Sequence, residues 1–248
     1  MNGSETGVGD GDGLADVAGG VRLKVCGITE PSEIDVLAAE SVDFVGLWYG
    51  VPGGPADLPL DDWRRLAEAT AAQQLAPVLV TFAKDVELLR AALESAPVTW
   101  IQLHGYQTPG LVRAVKRIAP EIRVLKVLHV RGDECVEESL IGSYEKAGVD
   151  VFLFDAVSGD GRVGSTGESL DSAFVAALAG KVTRPFLLAG GISADNRDAL
   201  DAVASHPLFL GIDVDTNARG ADGKVSAPNV HAISRAWRDR PAEAEHAV

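Results

Sequence analysis

From Val21 to Trp237 the chain alternates short apolar runs with segments of helical period. The runs are VRLKVCG (21–27), DFVGLWY (43–49), APVLVTF (76–82), TWIQLHG (99–105), RVLKVLHV (123–130), DVFLFDA (150–156), PFLLAGG (185–191) and LFLGIDV (208–214), and each reads as a strand. Between them, segments such as LDDWRRLAEATAAQ (60–73) and KDVELLRAALESA (84–96) put Leu and Ala on one face and charges on the other, the signature of an amphipathic helix. Strand, helix and return, repeated eight times, predict an α/β fold, a (β/α)8 TIM barrel formed as a single domain over residues 21–239. A doubly wound open sheet is the alternative that the strand count leaves open. Residues 1–20 are rich in Gly and Asp and too poor in large apolar side chains to offset chain entropy, so they are expected to be a disordered tail, with a second tail over 240–248.

A barrel places its chemistry at the C-terminal ends of the strands, where inward-facing residues alternate with outward ones. In the first run Arg22, Lys24 and Cys26 share a face. In the fourth, Gln102 and His104 share one, and the sixth run of Phe and Leu closes on Asp155. In the eighth, Asp213 and Asp215 alternate with Ile212 and Val214. A thiol, an imidazole and carboxylates thus converge on one rim.

Composition narrows the partners. Lys and Arg total 22 against 36 Asp and Glu, a net charge of −14 that argues against binding nucleic acid. The two cysteines, Cys26 and Cys135, are too few for a disulfide framework and read as reduced thiols, Cys135 as structural or incidental. The N-terminus lacks the basic residues and apolar core of a signal peptide, and no apolar run reaches the ~18 residues of a membrane span. A cytoplasmic protein with no membrane partner is the expectation, and monomer is the default in the absence of an exposed apolar stripe.

Each candidate has a plain structural reading beside the chemical one. Free cysteines are mostly inert core residues, but a cation two positions away, Lys24, is expected to favour the Cys26 thiolate over a thiol of ordinary pKa ~8.5. His104 suits either a structural hydrogen bond or a role at the rim. A carboxylate closing the run VFLF is costly to bury unless it is paired or used, which singles out Asp155. His129 reads as a loop residue, and His206, His231 and His246 as peripheral. After the seventh run, LAGGIS (188–193) places Gly190 and Gly191 before a helix expected to begin near Ala194, where amides and a helix N-terminus cradle an anion.

The motifs KVCGIT, QLHG, an Asp followed by GSTGESLD (164–171), LAGGISADN and GIDV, in that order over about residues 22–237, resemble the phosphoribosylanthranilate isomerases of tryptophan biosynthesis. The resemblance implies a (β/α)8 barrel that uses neither metal nor organic cofactor. It also implies an Amadori rearrangement of an N-ribosyl arylamine to a 1-amino-1-deoxyribulose. It carries the general acid to Asp155, protonating the ribose ring oxygen, and the general base to Cys26, removing the proton from C2′. Such a pair needs environments that push the two pKa values apart, a task expected of Lys24 near the thiol and of apolar neighbours around the carboxyl. Gly27 is expected to turn the backbone away and open the rim. The candidate substrate-binding residues are Lys24, Gln102, His104, Gly167, Gly190, Gly191, Asp213, Asp215 and Thr216.

The departures from the family pattern matter as much. After the second strand the family typically carries Ser-Pro-Arg, whose arginine holds the anthranilate carboxylate; here YGVPGGPADL (49–58) has no arginine. After the eighth strand it typically reads Asp-Val-Ser-Ser-Gly-Val-Glu; here DVDTNARG (213–220) sets Asp215 and Asn217 in place of a serine and the glycine. Glu168 stands where a lysine is common. Either Arg219 compensates for Asp215, or Asp215 points elsewhere, or the ligand lacks the phosphate. Three readings follow: a divergent isomerase acting on a less anionic N-glycosyl amine, an ordinary tryptophan-pathway isomerase with rebuilt loops, and a catalytically silent barrel that binds a small molecule or a protein partner.

Overall fold

In the computed structural model, residues 20–157 and 170–239 are described. The predicted tails therefore lie outside the described residues, Gly20 excepted. The strands are β1 (Arg22–Cys26), β2 (Phe44–Trp48), β3 (Ala76–Thr81), β4 (Trp100–Leu103), β5 (Arg123–Arg131), β6 (Glu134–Cys135), β7 (Val151–Ala156), β8 (Phe186–Leu188) and β9 (Phe209–Val214). All but β6 are parallel, and they run β4-β3-β2-β1-β9-β8-β7-β5, with a β4–β5 pairing that closes the ring. The closure decides for a (β/α)8 barrel against an open sheet. β6 is the return arm of a short hairpin at the end of β5 and takes no part in the ring.

The helices α1 (Pro31–Ala39), α2 (Leu60–Ala72), α3 (Val86–Ser95), α4 (Pro109–Ile118), α5 (Ile141–Ala147), α6 (Ser172–Ala179), α7 (Asp201–Ala204) and α8 (Ala227–Arg238) follow the strands. Their starts carry local signals: the Asp85, Asp171 and Ser226 side chains accept amide protons at the N-caps of α3, α6 and α8, and Glu30 and Glu33 form a reciprocal capping box on α1. The helix expected near Ala194 is not there. Asn196 accepts from the Ser193 amide at 2.9 Å and donates to the Gly191 carbonyl at 2.9 Å, which holds this stretch as a turn, and helical structure begins only at Asp198.

Two apolar layers result. Outward residues such as Val25, Leu47, Ile101, Phe152 and Ile212 pack against the helices. Inward ones, including Val78, Trp100, Leu125, Val151, Leu187 and Leu210, fill the barrel, and Phe44 meets Trp100 edge-on at 5.1 Å. An ion pair interrupts this interior. The β1–β9 register sets Lys24 beside Asp213, and the fully buried ammonium lies 2.8 Å from the carboxylate. Burial alone would lower the Lys24 pKa; the carboxylate of Asp213, helped by the Cys26 sulfur, holds it above the ordinary value.

Such a pair is costly to break from one side, because the surviving charge keeps its desolvation penalty without its partner. Lys24→Met is expected to lower unfolding stability by about 3–5 kcal/mol in urea titrations, and adding Asp213→Leu to recover most of that loss. A single variant within about 0.5 kcal/mol of wild type, the usual range for an inconsequential surface change, would show that the pair contributes nothing.

Candidate active site

At the C-terminal mouth of the barrel lies an open cleft of about 620 Å³, lined by Cys26, Trp48, His104, Asp155, Ala189, Gly190, Gly191, Ile192, Asp213, Val214, Asp215, Thr216 and Asn217. Parallel register gathers these groups from distant points of the chain. Cys26 ends β1 opposite Gly46 of β2, and that glycine is needed: a Cβ there would lie 2.6 Å from the Cys26 Sγ and 2.9 Å from the Lys24 Nζ. Trp48, the next inward residue of β2, donates its indole N–H to Sγ at 3.2 Å.

Across the mouth, Asp155 near the end of β7 is buried, and its Oδ2 lies 3.3 Å from the His104 Nε2. The imidazole is set from behind. Gln102 Nε2 lies 2.7 Å from the His104 Nδ1, and Phe82 stacks on the ring at 5.2 Å. With the Gln102 amide as donor, Nδ1 is the acceptor and a ring proton sits on Nε2, which lies toward Asp155 without a hydrogen bond to it.

Lys24 and Gln102 do not line the cleft. Both are fully buried one layer down, where Lys24 supports Asp213 and Gln102 supports His104. The other candidates His104, Gly190, Gly191, Asp213, Asp215 and Thr216 stand on the cleft wall with Cys26 and Asp155. Gly167, like Glu168, lies outside the described residues.

Arg219 answers the question raised by Asp215. Its Nε donates to the Asp215 Oδ1 at 2.7 Å, Nη1 to Glu33 at 3.2 Å, and Nη2 to the carbonyls of Cys26 and Gly27 at 3.1 and 2.7 Å. Gly27, at φ +76, admits this approach, since a Cβ would meet Nη2 at 3.0 Å. The guanidinium is thereby committed to the protein, and no Lys or Arg occurs among the described residues that line the cleft. Asn217 likewise turns its amide to the carbonyls of Gly191 and Ile192, at 3.2 and 2.9 Å, stapling two rim loops together.

Lys24 does pull the Cys26 pKa down as expected, but the net shift is upward and the expected thiolate is not favoured. Burial pushes the Cys26 thiol up to about 11, ahead of the downward pull of Lys24, and the carboxylates of Asp213 and Asp215 add to the rise. The ammonium is already matched by Asp213, so proximity in sequence overstated its pull on the sulfur.

His129 is likewise not a loop residue. It is fully buried in β5, beside Asp155 in the β5–β7 register, with its ring 6.1 Å from His104 and 4.5 Å from Tyr106. The β5–β6 hairpin returns Glu137 to it: Oε1 lies 2.6 Å from Nδ1, and Oε2 accepts the His129 amide at 2.9 Å. The inward period 125, 127, 129 would have found His129, as 44, 46, 48 would have found Trp48.

Residues 23–218 match the family model for N-(5'-phosphoribosyl)anthranilate (PRA) isomerase. Among curated relatives, the N-(5'-phosphoribosyl)anthranilate isomerase of Rhodopseudomonas palustris is 30% identical over 222 residues, covering 87% of this chain and 97% of its own. The enzyme of the same name from Gloeobacter violaceus is 33% identical over 209 residues, covering 81% and 87%. The crystal structure of phosphoribosyl anthranilate isomerase from Thermotoga maritima superposes with a TM-score of 0.73 over 88% of this chain and 98% of that one, at 23% identity, and shares its fold.

The buried thiol makes a measurable statement. In a Cys135→Ser background, alkylation of Cys26 by iodoacetamide is expected to rise through the alkaline range with a midpoint near pH 11. A midpoint at the ordinary ~8.5 would mean that burial does not govern the sulfur.

Proposed function

Because the chain belongs to the N-(5'-phosphoribosyl)anthranilate isomerase family, we propose that Asp155 and Cys26 are the acid and base of an Amadori rearrangement of an N-(5-phospho)ribosyl arylamine. In the family this is the isomerisation step of tryptophan biosynthesis. The observation that supports the assignment is the placement of the Asp155 carboxyl and the Cys26 thiol on separate walls of a single cleft, with His104 beside the one and the Trp48 indole N–H on the other.

The steps follow from those positions. Asp155 gives its proton to the ribose ring oxygen; the bond from C1′ to that oxygen breaks, and the amine lone pair forms a C1′=N iminium. The His104 Nε2, 3.3 Å from Oδ2, lies within reach of the carboxylate left behind and closes to a hydrogen bond as charge develops there. The Cys26 thiolate then takes the C2′ proton, and the released electrons form a C1′=C2′ bond while neutralising the nitrogen. Protonation at C1′ and loss of the 2′-hydroxyl proton give the ketone. The iminium cation arises in a cleft walled by Asp155, Asp213 and Asp215, which favours it electrostatically. The same cation offsets the burial that otherwise keeps Cys26 protonated.

The rim favours a substrate less anionic than phosphoribosylanthranilate. Arg219 is bound to Asp215 and Glu33, and the segment 49–58, which folds back so that the Leu58 amide bonds the Trp48 carbonyl at 3.1 Å, holds no cation.

The test is loss of phosphoribosylanthranilate fluorescence with substrate generated in situ. Turnover by wild type is expected to fall about 10²–10⁴-fold in Asp155→Ala and in Cys26→Ala. Equal behaviour of wild type and both folded variants would leave a silent binding barrel. The same assay with the N-phosphoribosyl adduct of aniline, which lacks the carboxylate, reads the rim: kcat/KM at least equal to that for the anthranilate adduct is expected, and a tenfold or larger deficit (about 1.4 kcal/mol) would reveal a carboxylate-binding cation.

A further inference from the structure

Resting on the assignment of Cys26 as base, we propose that Trp48 is the positioning residue of that base: its indole N–H anchors the sulfur and carries the negative charge of the thiolate. An indole N–H donates and never accepts, so its 3.2 Å bond to Sγ engages a sulfur lone pair and strengthens as the sulfur becomes anionic.

The cation near the sulfur is divided. Lys24 sits with its Nζ 2.8 Å from Asp213, so its charge serves that carboxylate as well. The sulfur is therefore bounded on one side by the bare backbone of Gly46, on another by Lys24, and on a third by the indole. The direction left over opens to the cleft that Cys26 and Trp48 both line. A thiolate held this way presents its remaining lone pair to the substrate carbon rather than rotating about its side-chain bond.

Trp48 is itself held in place. The 50–58 loop packs on it: the Leu58 amide donates to its carbonyl at 3.1 Å, and Gly54 lies so close that a Cβ there would stand 3.0 Å from the indole Cζ3. The loop therefore fixes the ring, the ring fixes the sulfur, and the segment that lacks a cation still has a function.

Trp48→Phe in the full chain, with Cys135→Ser in the background, keeps a ring and removes the donor. Iodoacetamide alkylation of Cys26 at a fixed alkaline pH is expected to slow about tenfold, its midpoint moving up by about one pH unit. In the isomerase assay kcat is expected to fall about tenfold with KM changed by less than about twofold, the split expected when an interaction made only in the reacting complex is lost. An unchanged alkylation profile in the folded variant would overturn the proposal. Should the Phe variant fail to fold, the indole N–H resonance of Trp48 decides in the Cys26→Ala protein: a shift to the position of an unbonded indole supports the bond, and an unmoved resonance overturns it. Alkylation and resonance are read without substrate, so they stand apart from any error in the substrate assignment.

Discussion

The buried pair of Lys24 and Asp213 is the constraint on which the active mouth rests. Parallel register between β1 and β9 forces the two side chains together inside the barrel, with the ammonium wholly out of water. Each ion costs several kcal/mol to desolvate, so neither is tolerable without the other. Their pairing commits the Lys24 ammonium beneath the mouth to a carboxylate. The thiol above it is left in a buried and net-acidic setting, where burial and two Asp side chains outweigh the ammonium. A thiol in this setting is weakly ionised when the cleft is empty, and the role of base proposed for it depends on positive charge supplied by the substrate.

That logic extends around the rim. Asp155, Asp213 and Asp215 line the cleft, while the Arg219 guanidinium is turned away to bond Asp215, Glu33 and the backbone of the first loop. Glu33, buried at the start of α1, also accepts the amides of Thr29 and Val225, so the first and last loops of the barrel are tied through one ion-paired knot. The walls are thereby stiff as well as acidic. Such a mouth suits a reaction whose intermediate is a cation formed at a neutral amine nitrogen, because fixed carboxylates stabilise charge that develops without reorganising.

Much of this was legible in the chain. Eight apolar runs give the eight barrel strands, and alternation along them places Cys26, His104, Asp155 and Asp213 on the inner face. The ordered motifs give the family. What escaped depends on three-dimensional sums rather than on pattern. The sign of the thiol shift follows from burial, one ammonium and two carboxylates acting together, and a lysine two residues away is a poor guide to that balance. The absent helix at Ala194 turns on the Asn196 side chain competing for backbone groups, a local contest that hydrophobic period does not register. Trp48 and His129 do lie on inward periods, but an aromatic or an imidazole in an apolar run reads as core until its partner is known, and Cys26 and Glu137 lie far away in sequence or beyond a turn.

The division of labour between Asp155 and Cys26 is tested most directly by the primary isotope effect on kcat with substrate deuterated at C2′, compared among wild type, Asp155→Asn and Cys26→Ser. If Asp155 opens the ring and Cys26 takes the C2′ proton, the effect grows in Cys26→Ser, where proton abstraction limits the rate, and vanishes in Asp155→Asn, where ring opening does. The reverse pattern, or the same effect in all three proteins, would contradict the assignment of acid and base.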